Sequence, residues 1–149
     1  MGLITKEIEE FVKQQKLAFV ATVCPDGTPN LSPKGTTKVW DGEHLVFADI
    51  HSPGTTRNLK INPAIEINMV DVFTRKGYRF KGFGQVLSHG EMFERIISFY
   101  KEAGSAYPIK NIVLIKVDQV LPVLSPVYDT AISEADVIKK WRDYWNAVH

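Results

Sequence analysis

The stretch HSPGTTRNLKINP, residues His51–Pro63, decides how the rest of the chain is interpreted. It contains a Pro-Gly turn, two threonines and an arginine, followed by a helix-like segment that stops at Asn62-Pro63. A serine or threonine in such a position commonly caps a short helix. The same hydroxyl groups, together with the free N–H groups and positive dipole end of a helix, can also bind a phosphate. The segment alone leaves both interpretations open.

Runs of β-forming residues flank this stretch on both sides. Upstream, TTKVW and EHLVFADI surround Asp41-Gly42, which predicts a two-residue hairpin turn of the primed type. Downstream, AIEINMVDVF and GYRFKGFGQVLS predict two strands joined by a turn at residues 74–77. The second run contains Gly82 and Gly84 on one face, where a strand either bends or meets bare backbone. The runs LAFVATV and NIVLIKVDQVLPVLS supply further strands.

Three longer helices are predicted outside these strands. Residues 5–15, residues 90–104 and a segment capped by Ser133 each show apolar residues at helical spacing. The strands do not alternate regularly with helices, so a parallel sheet of the Rossmann type is not expected. The pattern predicts about six strands in a closed or nearly closed antiparallel barrel with covering helices, in a single domain spanning residues 1–149.

Composition excludes several classes of function. The net charge is +1 and the basic residues are scattered, which argues against nucleic acid as a partner. No apolar run approaches the ~18–20 residues that span a bilayer. No secretory signal is visible, so we expect a cytoplasmic protein without a membrane partner. Cys24 is the single cysteine and the four histidines show no ligand spacing, so no metal site is expected.

The run NLSPKGTTK, residues 30–38, is a second candidate site. Polar and special-backbone residues interrupt a strand there, and such an edge could present amides and a lysine to a flat polar ring; they are Ser32, Pro33, Lys34 and Gly35. The alternative is an ordinary edge strand protected by proline and lysine. No hydrolytic arrangement of residues stands out, so any hard chemistry would have to come from a cofactor, and no catalytic residue is assigned.

Taken together, LVFADIHSPGTTRNLKINPAIEINMVD followed by GYRFKGFGQV resembles the FMN-binding split barrels of the pyridoxamine 5'-phosphate oxidase-like family. It looks closest to the small flavin-nucleotide-binding members. The resemblance covers roughly residues 5–120 and rests on Asn58-Leu59, Asn62-Pro63 and an arginine-containing strand that ends in Gly-x-Gly. It implies a six-stranded antiparallel Greek-key split barrel that binds FMN in a groove between the two barrels of a homodimer.

The resemblance also implies which residues contact the cofactor. It assigns the isoalloxazine ring to Ser32, Pro33, Lys34 and Gly35 and to the backbone of Ala48, Asp49 and Ile50. It assigns the phosphate to Lys38 and to Ser52, Thr55, Thr56 and Arg57. Arg79 occupies a position where the oxidases carry a glutamine that contacts the ring from the partner subunit. Lys34 beside the ring would stabilise a reduced anionic flavin.

Two departures from the family pattern limit the implied function. The Ser-Arg-Lys phosphate signature of the oxidases reads Pro53-Gly54-Thr55 here, and their C-terminal Arg/His motif has no counterpart in DYWNAVH. Oxidation of pyridoxamine phosphate itself is therefore not expected. With the resemblance included, the phosphate interpretation of the opening stretch is preferred. The prediction is an FMN-binding flavoprotein, a small oxidoreductase or electron carrier whose redox partner is not identified. The alternatives are a non-catalytic flavin-binding or sensing module, or the same barrel binding a deazaflavin or heme.

Overall fold

A computed structural model describes residues 2–149. The elements follow in the order α1 (Lys6–Gln15), β1 (Ala18–Val23), β2 (Pro29–Lys34), β3 (Lys38–Asp41), β4 (His44–Asp49), α2 (Pro53–Ile61), β5 (Ala64–Asp71), β6 (Lys76–Leu87), α3 (Glu91–Glu102), β7 (Asn111–Leu124), a short 3-10 helix (Pro126–Asp129) and α4 (Glu134–Val148). Within residues 2–149, none of the helices combines the length and the apolar character required to cross a bilayer.

All seven strands belong to one antiparallel sheet in the order β2-β1-β5-β6-β7-β4-β3. The predicted mainly β architecture with covering helices is confirmed, but the structure has seven strands where six were expected. The difference arises because the polar run before Gly35 forms a strand of its own, which pairs with β1 at the edge of the sheet. Pro33 is exposed on this edge strand. Proline lacks a backbone N–H, but the outer side of an edge strand has no neighbouring strand that needs one.

The apolar core lies in two layers that share β4. Leu45 and Phe47 point into the barrel and join a cluster contributed by strands from both halves of the sheet. Because strands near both edges contribute to one cluster, the sheet must curl around it. Val46 and Ala48 point the other way and pack with Tyr100 of α3. β4 is therefore buried on both faces, which fixes its carboxyl end rigidly.

The hairpin between β3 and β4 is confirmed, but its turn differs from the prediction. Asp41 pairs with His44, so the turn residues are Gly42 and Glu43. Gly42 lacks the positive φ that a primed turn requires. The Asp41 carboxylate instead accepts a hydrogen bond from the Glu43 N–H at 2.9 Å, and the Gly42 carbonyl accepts one from the Ile4 N–H at 3.0 Å. A side-chain turn anchored to the amino-terminal segment thus replaces the primed backbone conformation.

β6 bends at Gly82, as its glycines predict. The register between β6 and β7 shifts between Lys81 and Gly82. A Cβ atom at Gly82 would lie 1.9 Å from the Lys116 carbonyl oxygen, so no other residue fits without moving the backbone. Gly84 faces α2, where a Cβ atom would lie 3.2 Å from the Leu59 methyl groups. These two glycines let β7 and α2 pack directly against the β6 backbone.

The carboxyl-terminal helix α4 begins as predicted and packs lightly. The Ser133 hydroxyl accepts a hydrogen bond from the Asp136 N–H at 3.2 Å. Val137 is the buried residue of this helix. Trp141, Tyr144 and Trp145 meet edge to face along its surface, with ring centroids 5.6 and 5.2 Å apart. An aromatic face therefore runs along α4 without becoming part of the barrel core.

Candidate cofactor site

The amino end of α2 lies beside the carboxyl ends of β2 and β4. Ser52 occupies the N-cap position and Pro53 follows it in the first turn. The Ser52 side chain makes no capping hydrogen bond to this helix. Its Oγ instead accepts a hydrogen bond from Lys34 Nζ. The cap expected from the plain interpretation is therefore absent, and the positive end of the α2 dipole has no side-chain acceptor of its own.

Lys34, the last residue of β2, places a buried ammonium group at this helix end. The residue is 5% exposed, and its Nζ lies 5.8 Å from the centroid of the Phe47 ring. Burial lowers the pKa of Lys34 below its ordinary value, and the Asp49 carboxylate partly opposes that shift. An anion bound beside this lysine would stabilise the charged ammonium form, and the same attraction would strengthen binding of the anion.

Asp49, the last residue of β4, holds the loop that leads into α2. One carboxylate oxygen accepts a hydrogen bond from the Ser52 N–H at 2.7 Å, and the other accepts one from Asn111 Nδ2 at 3.2 Å. Asp49 is 4% exposed, so these bonds compensate the burial of its charge. They fix Ser52 relative to both β4 and the first residue of β7.

Thr36 connects the loop after β2 to β4. Its Oγ1 accepts a hydrogen bond from the Ala48 N–H at 3.0 Å and lies 3.2 Å from the Ala48 carbonyl oxygen, to which it donates. The Tyr100 hydroxyl donates to the Thr36 carbonyl at 2.6 Å and lies 3.3 Å from the Val46 carbonyl. Burial raises the pKa of Tyr100, so its phenol stays protonated as a donor. The loop that follows Lys34 is thereby fixed against β4 and α3.

The first turns of α2 contain the hydroxyl groups named in the sequence. Thr55 and Thr56 are both buried, and Thr56 Oγ1 donates to the Pro53 carbonyl at 3.2 Å. Arg57 is exposed on the same helix. Asn58 is buried and donates to Thr22 Oγ1 at 3.1 Å, whereas its Oδ1 has no partner among residues 2–149. Asn58 thus ties α2 to β1 and leaves one buried acceptor free.

The structure brings together four of the sequence-predicted residues, Lys34, Ala48, Asp49 and Ser52, with the two threonines in the adjoining helical turn. Four further predicted residues adjoin these in the chain: Ser32 is half-buried and Pro33 exposed on β2, Gly35 is exposed in the following loop, and Ile50 is half-buried before α2. Sequence reasoning missed Thr36, Tyr100 and Asn111. Thr36 stands inside the run NLSPKGTTK, but Asn111 is 62 residues from Asp49, and no local pattern indicates that pair.

Lys38 lies apart from this cluster. Its Nζ is 5.8 Å from the Phe99 ring centroid and 5.9 Å from the Tyr100 ring centroid. Lys38 also lines a groove of about 580 Å³ between α1, β3 and α3, which we call the Lys38 groove and which includes Lys13, Lys16 and Trp40. The resemblance assigned Lys34 to the flavin ring and Lys38 to the phosphate. In the structure it is Lys34 that contacts Ser52 of the phosphate segment.

Arg79 lies on the outer face of the sheet. Its Nε is 2.9 Å from Glu66 Oε1 on the neighbouring strand. Phe19 and Leu31 are 45% and 67% exposed and border the same shallow depression as Arg79. Phe83 is a further exposed apolar residue on β6. The outer face of β1, β2, β5 and β6 is thus partly apolar, with an ion pair within it.

The side chains at the amino end of α2 fit a phosphate monoester. The site supplies a buried ammonium group, the Ser52 hydroxyl and a helix amino end without a side-chain cap. Asp49 is the nearby carboxylate, and both of its oxygens are already hydrogen-bonded to Ser52 and Asn111. A phosphate can therefore contact the donors without depriving Asp49 of its partners.

A family model described as pyridoxamine 5'-phosphate oxidase matches residues 4–123. Since this is most of the sequence, the chain belongs to that family. An uncharacterized protein of Methanocaldococcus jannaschii is 26% identical over 121 residues, which are 78% of this chain and 80% of that protein. The heme oxygenase HutZ of Vibrio cholerae is 27% identical over 105 residues, which are 65% of this chain but 58% of HutZ.

Solved structures show the same fold. HupZ of Group A Streptococcus superposes with a TM-score of 0.74 at 30% identity, covering 83% of this chain and 96% of that one. An FMN-binding protein from Syntrophomonas wolfei superposes with a TM-score of 0.68 at 18% identity, covering 82% and 87%. An F420 reductase gives a TM-score of 0.62 at 21% identity, covering 79% and 98%. The last two similarities concern the fold alone.

Proposed function

We propose that this protein binds FMN, with the phosphate at the amino end of α2, and that it acts as a small oxidoreductase or electron carrier. The observation that supports this most directly is the buried Lys34 ammonium group, which contacts Ser52 at a helix end that has no side-chain cap. The Asp49 carboxylate offsets only part of the cost of burying this cation, and an anion at the free backbone donors of α2 would offset more of it. A phosphate would supply both the negative charge beside Lys34 and the acceptor for the free N–H groups of α2.

The surrounding residues have distinct roles in this proposal. Lys34 and Ser52 bind the phosphate together with the first N–H groups of α2, and Asp49 holds Ser52 in position through its backbone. Arg57 is exposed on α2 and would contact the phosphate from the solvent side. Thr36 and Ala48, which are hydrogen-bonded to each other close to Lys34 and Asp49 in the chain, would lie beside the flavin ring. FMN would supply the redox chemistry, and the protein would orient the ring and set its electrostatic surroundings.

We further propose that the protein is a homodimer, with the ligand site completed by the second subunit. Phe19, Leu31 and Phe83 form an exposed apolar face around the Arg79–Glu66 ion pair. Apolar side chains grouped in this way favour contact with another protein surface. Light scattering should give a dimer, and Leu31→Glu should weaken it. Tyr107→Glu is the matched control, since Tyr107 is 70% exposed in the segment between α3 and β7.

Heme is the second candidate ligand, because HutZ is described as a heme oxygenase and as a heme storage protein. His51 is exposed directly before Ser52 in the chain, and its imidazole is the kind of group that could ligate heme iron. His51→Ala should therefore abolish heme binding if heme is the ligand and leave FMN binding intact if FMN is. A deazaflavin is the third candidate ligand, because the fold is shared with an F420 reductase.

The test of the proposed function is a titration of the purified protein with FMN, riboflavin and hemin, followed by absorption spectra and calorimetry. FMN should bind at least about tenfold more tightly than riboflavin, because charge-assisted hydrogen bonds contribute about 1.5–3 kcal/mol each. Arg57→Ala should narrow this difference by weakening FMN. Equal affinity for FMN and riboflavin would contradict the phosphate site. Turnover with a reduced nicotinamide distinguishes an oxidoreductase from a module that only binds or senses flavin.

A further inference from the structure

A second polar groove lies at the other end of β6, far from α2. It has a volume of about 480 Å³, within the range of small-molecule sites. The β5–β6 turn, the segment after β7 and α4 form its walls, and α4 lies beyond the part of the chain matched by the family model. The lining residues are Arg75, Ser125, Val127, Ile132, Asp136, Val137, Lys140 and Trp141. We call it the α4 groove.

Arg75 lies in this groove with its terminal Nη groups available as hydrogen-bond donors. The guanidinium carbon lies 3.5 Å from the centroid of the Trp141 ring, so stacking fixes the plane of the group. Its Nε is buried and has no acceptor within the described part of the chain. The two Nη groups are not buried and make no hydrogen bond within residues 2–149, so this stacked guanidinium group can present both of them to a carboxylate.

The backbone at Arg75 supports a specific role for this side chain. Its φ is 59°, in the left-handed region where residues other than glycine are uncommon and asparagine or aspartate is more usual. The Arg75 carbonyl accepts a hydrogen bond from the Ser125 N–H at 3.1 Å, which ties the turn to the segment after β7. The turn thus holds a long basic side chain in an unfavourable backbone conformation and directs it against α4.

The charged residues that line the groove favour a ligand with a single negative charge. Lys140 Nζ lies 5.1 Å from the Trp141 ring centroid, so two cations flank this ring. Asp136 also lines the groove, so the two cations and one carboxylate leave a net charge of one positive unit. A monoanion would neutralise the site, whereas a dianion would leave it with a net negative charge.

The rest of the lining is apolar. Val127, Ile132 and Val137 form the floor beside the indole of Trp141. We propose that the α4 groove binds a small organic monocarboxylate with an apolar body, whose carboxylate contacts Arg75 and Lys140. This site is separate from the proposed FMN site and does not depend on it.

The first experiment follows the Arg75 Nε–H signal by NMR in the full, isotope-labelled chain. Benzoate is the probe, benzyl alcohol its uncharged analogue, and inorganic phosphate at about pH 8 a mainly dianionic control. Benzoate should move the Arg75 Nε–H and Trp141 indole signals saturably in the millimolar range, while the two controls should not. The absence of a saturable shift at tens of millimolar benzoate, or an equal shift with benzyl alcohol, would overturn the proposal.

Variants then test the role of each cation. Arg75→Lys keeps the charge but loses the planar fork, and should weaken benzoate binding about tenfold. Lys140→Gln should weaken it several-fold. Arg142→Gln is the control: this arginine also lies on α4, with its guanidinium carbon 5.8 Å from the Phe73 ring centroid, but does not line the groove. Far-UV circular dichroism verifies that Arg75→Lys is folded. Unchanged benzoate affinity in the folded variant would refute the role of Arg75. If the variant does not fold, the NMR titration of the wild-type protein still tests the proposal.

Discussion

Lys34 and Lys38 stand four residues apart in one short run, yet they occupy opposite environments. Lys34 ends β2, is 5% exposed, and donates to Ser52 at the amino end of α2. Lys38 begins β3, is only half-buried, and lies over the rings of Phe99 and Tyr100 beside an open groove. One lysine is buried in a hydrogen-bonded site, and the other rests on an aromatic surface.

The pleat and register of the strands determine this difference. Lys38 pairs with Val46, whose side chain faces α3, so Lys38 is directed to the same outer layer. Lys34 lies over Phe47, which faces the barrel interior. Two lysines with similar neighbours in the sequence therefore lie in different layers of the molecule, because they lie on opposite faces of the sheet.

The largest effect is expected for Lys34→Met. If the Lys34 site binds the phosphate, this substitution removes a charge-assisted hydrogen bond contributing about 1.5–3 kcal/mol. The FMN dissociation constant, measured by calorimetry, should then rise about tenfold to a hundredfold. Lys38→Met is the matched control and should change it by less than about twofold. The reverse result would assign the phosphate to the Lys38 groove and overturn the comparison.

The next effect concerns the loop that separates the two lysines. Tyr100→Phe removes the hydroxyl that donates to the Thr36 carbonyl at 2.6 Å and leaves that buried acceptor without its donor. The free energy of unfolding should fall by about 1–2 kcal/mol, and the melting temperature by roughly 2–8 °C. Phe99→Leu provides the contrast, because it changes a neighbouring aromatic ring of α3 but leaves the hydrogen bond to the Thr36 carbonyl in place. An unaltered melting temperature in Tyr100→Phe would mean that Thr36 is held by its contact with Ala48 alone.

The pH dependence of binding distinguishes the two lysines further. Burial holds the pKa of Lys34 below its unfolded value of 10.5. In the ligand-free protein the resulting penalty is full below the folded pKa and is relieved as pH rises toward 10.5, so stability increases through that window. A bound phosphate stabilises the ammonium form, so FMN binding takes up a proton there. Affinity should fall by up to about tenfold per pH unit above the folded pKa. Calorimetry in buffers of different ionisation enthalpy measures the uptake, which should vanish in Lys34→Met and persist in Lys38→Met.

The smallest effect is expected for the stability of Lys38→Met. The substitution removes a cation lying nearly 6 Å from two aromatic rings, a contact contributing about 0.5–1 kcal/mol at exposed sites. The melting temperature should shift by no more than roughly 4 °C. A larger loss, measured by thermal unfolding without ligand, would show that the Lys38 groove is a structural element of the barrel.

The sequence predicts the elements of the fold better than their partners. Alternating runs and the Asp41-Gly42 signal identify the β3–β4 hairpin, and the spacing of Gly82 and Gly84 indicates where β6 bends. The primed turn was wrong because the Asp41 side chain and the Ile4 N–H form the turn contacts instead. Such contacts come from a segment that no hairpin rule includes.

In the candidate site, too, the sequence predicts the individual residues better than the contacts between them. The hydroxyl-rich start of α2 is visible in HSPGTTRNLKINP, and Lys34 is visible in NLSPKGTTK. That Lys34 contacts Ser52 depends on how β2 and β4 are placed, and that Asn111 holds Asp49 depends on the pairing of β4 with β7. Both are properties of sheet order, which no local pattern in the sequence encodes.

The pairing of β4 with β7 also sets a limit on when the ligand can bind as the chain is made. β4 can pair with β3 as soon as their hairpin emerges, but its other edge stays open until residues 111–116 have been synthesised. Contacts between segments so distant in sequence form slowly during folding. Since Asn111 reaches Asp49 only through this ladder, the loop before α2 takes its final shape after barrel closure. If the protein binds FMN at this loop as proposed, capture should be a late event in the maturation of the chain, and a nascent protein stalled before β7 should be unable to retain the ligand.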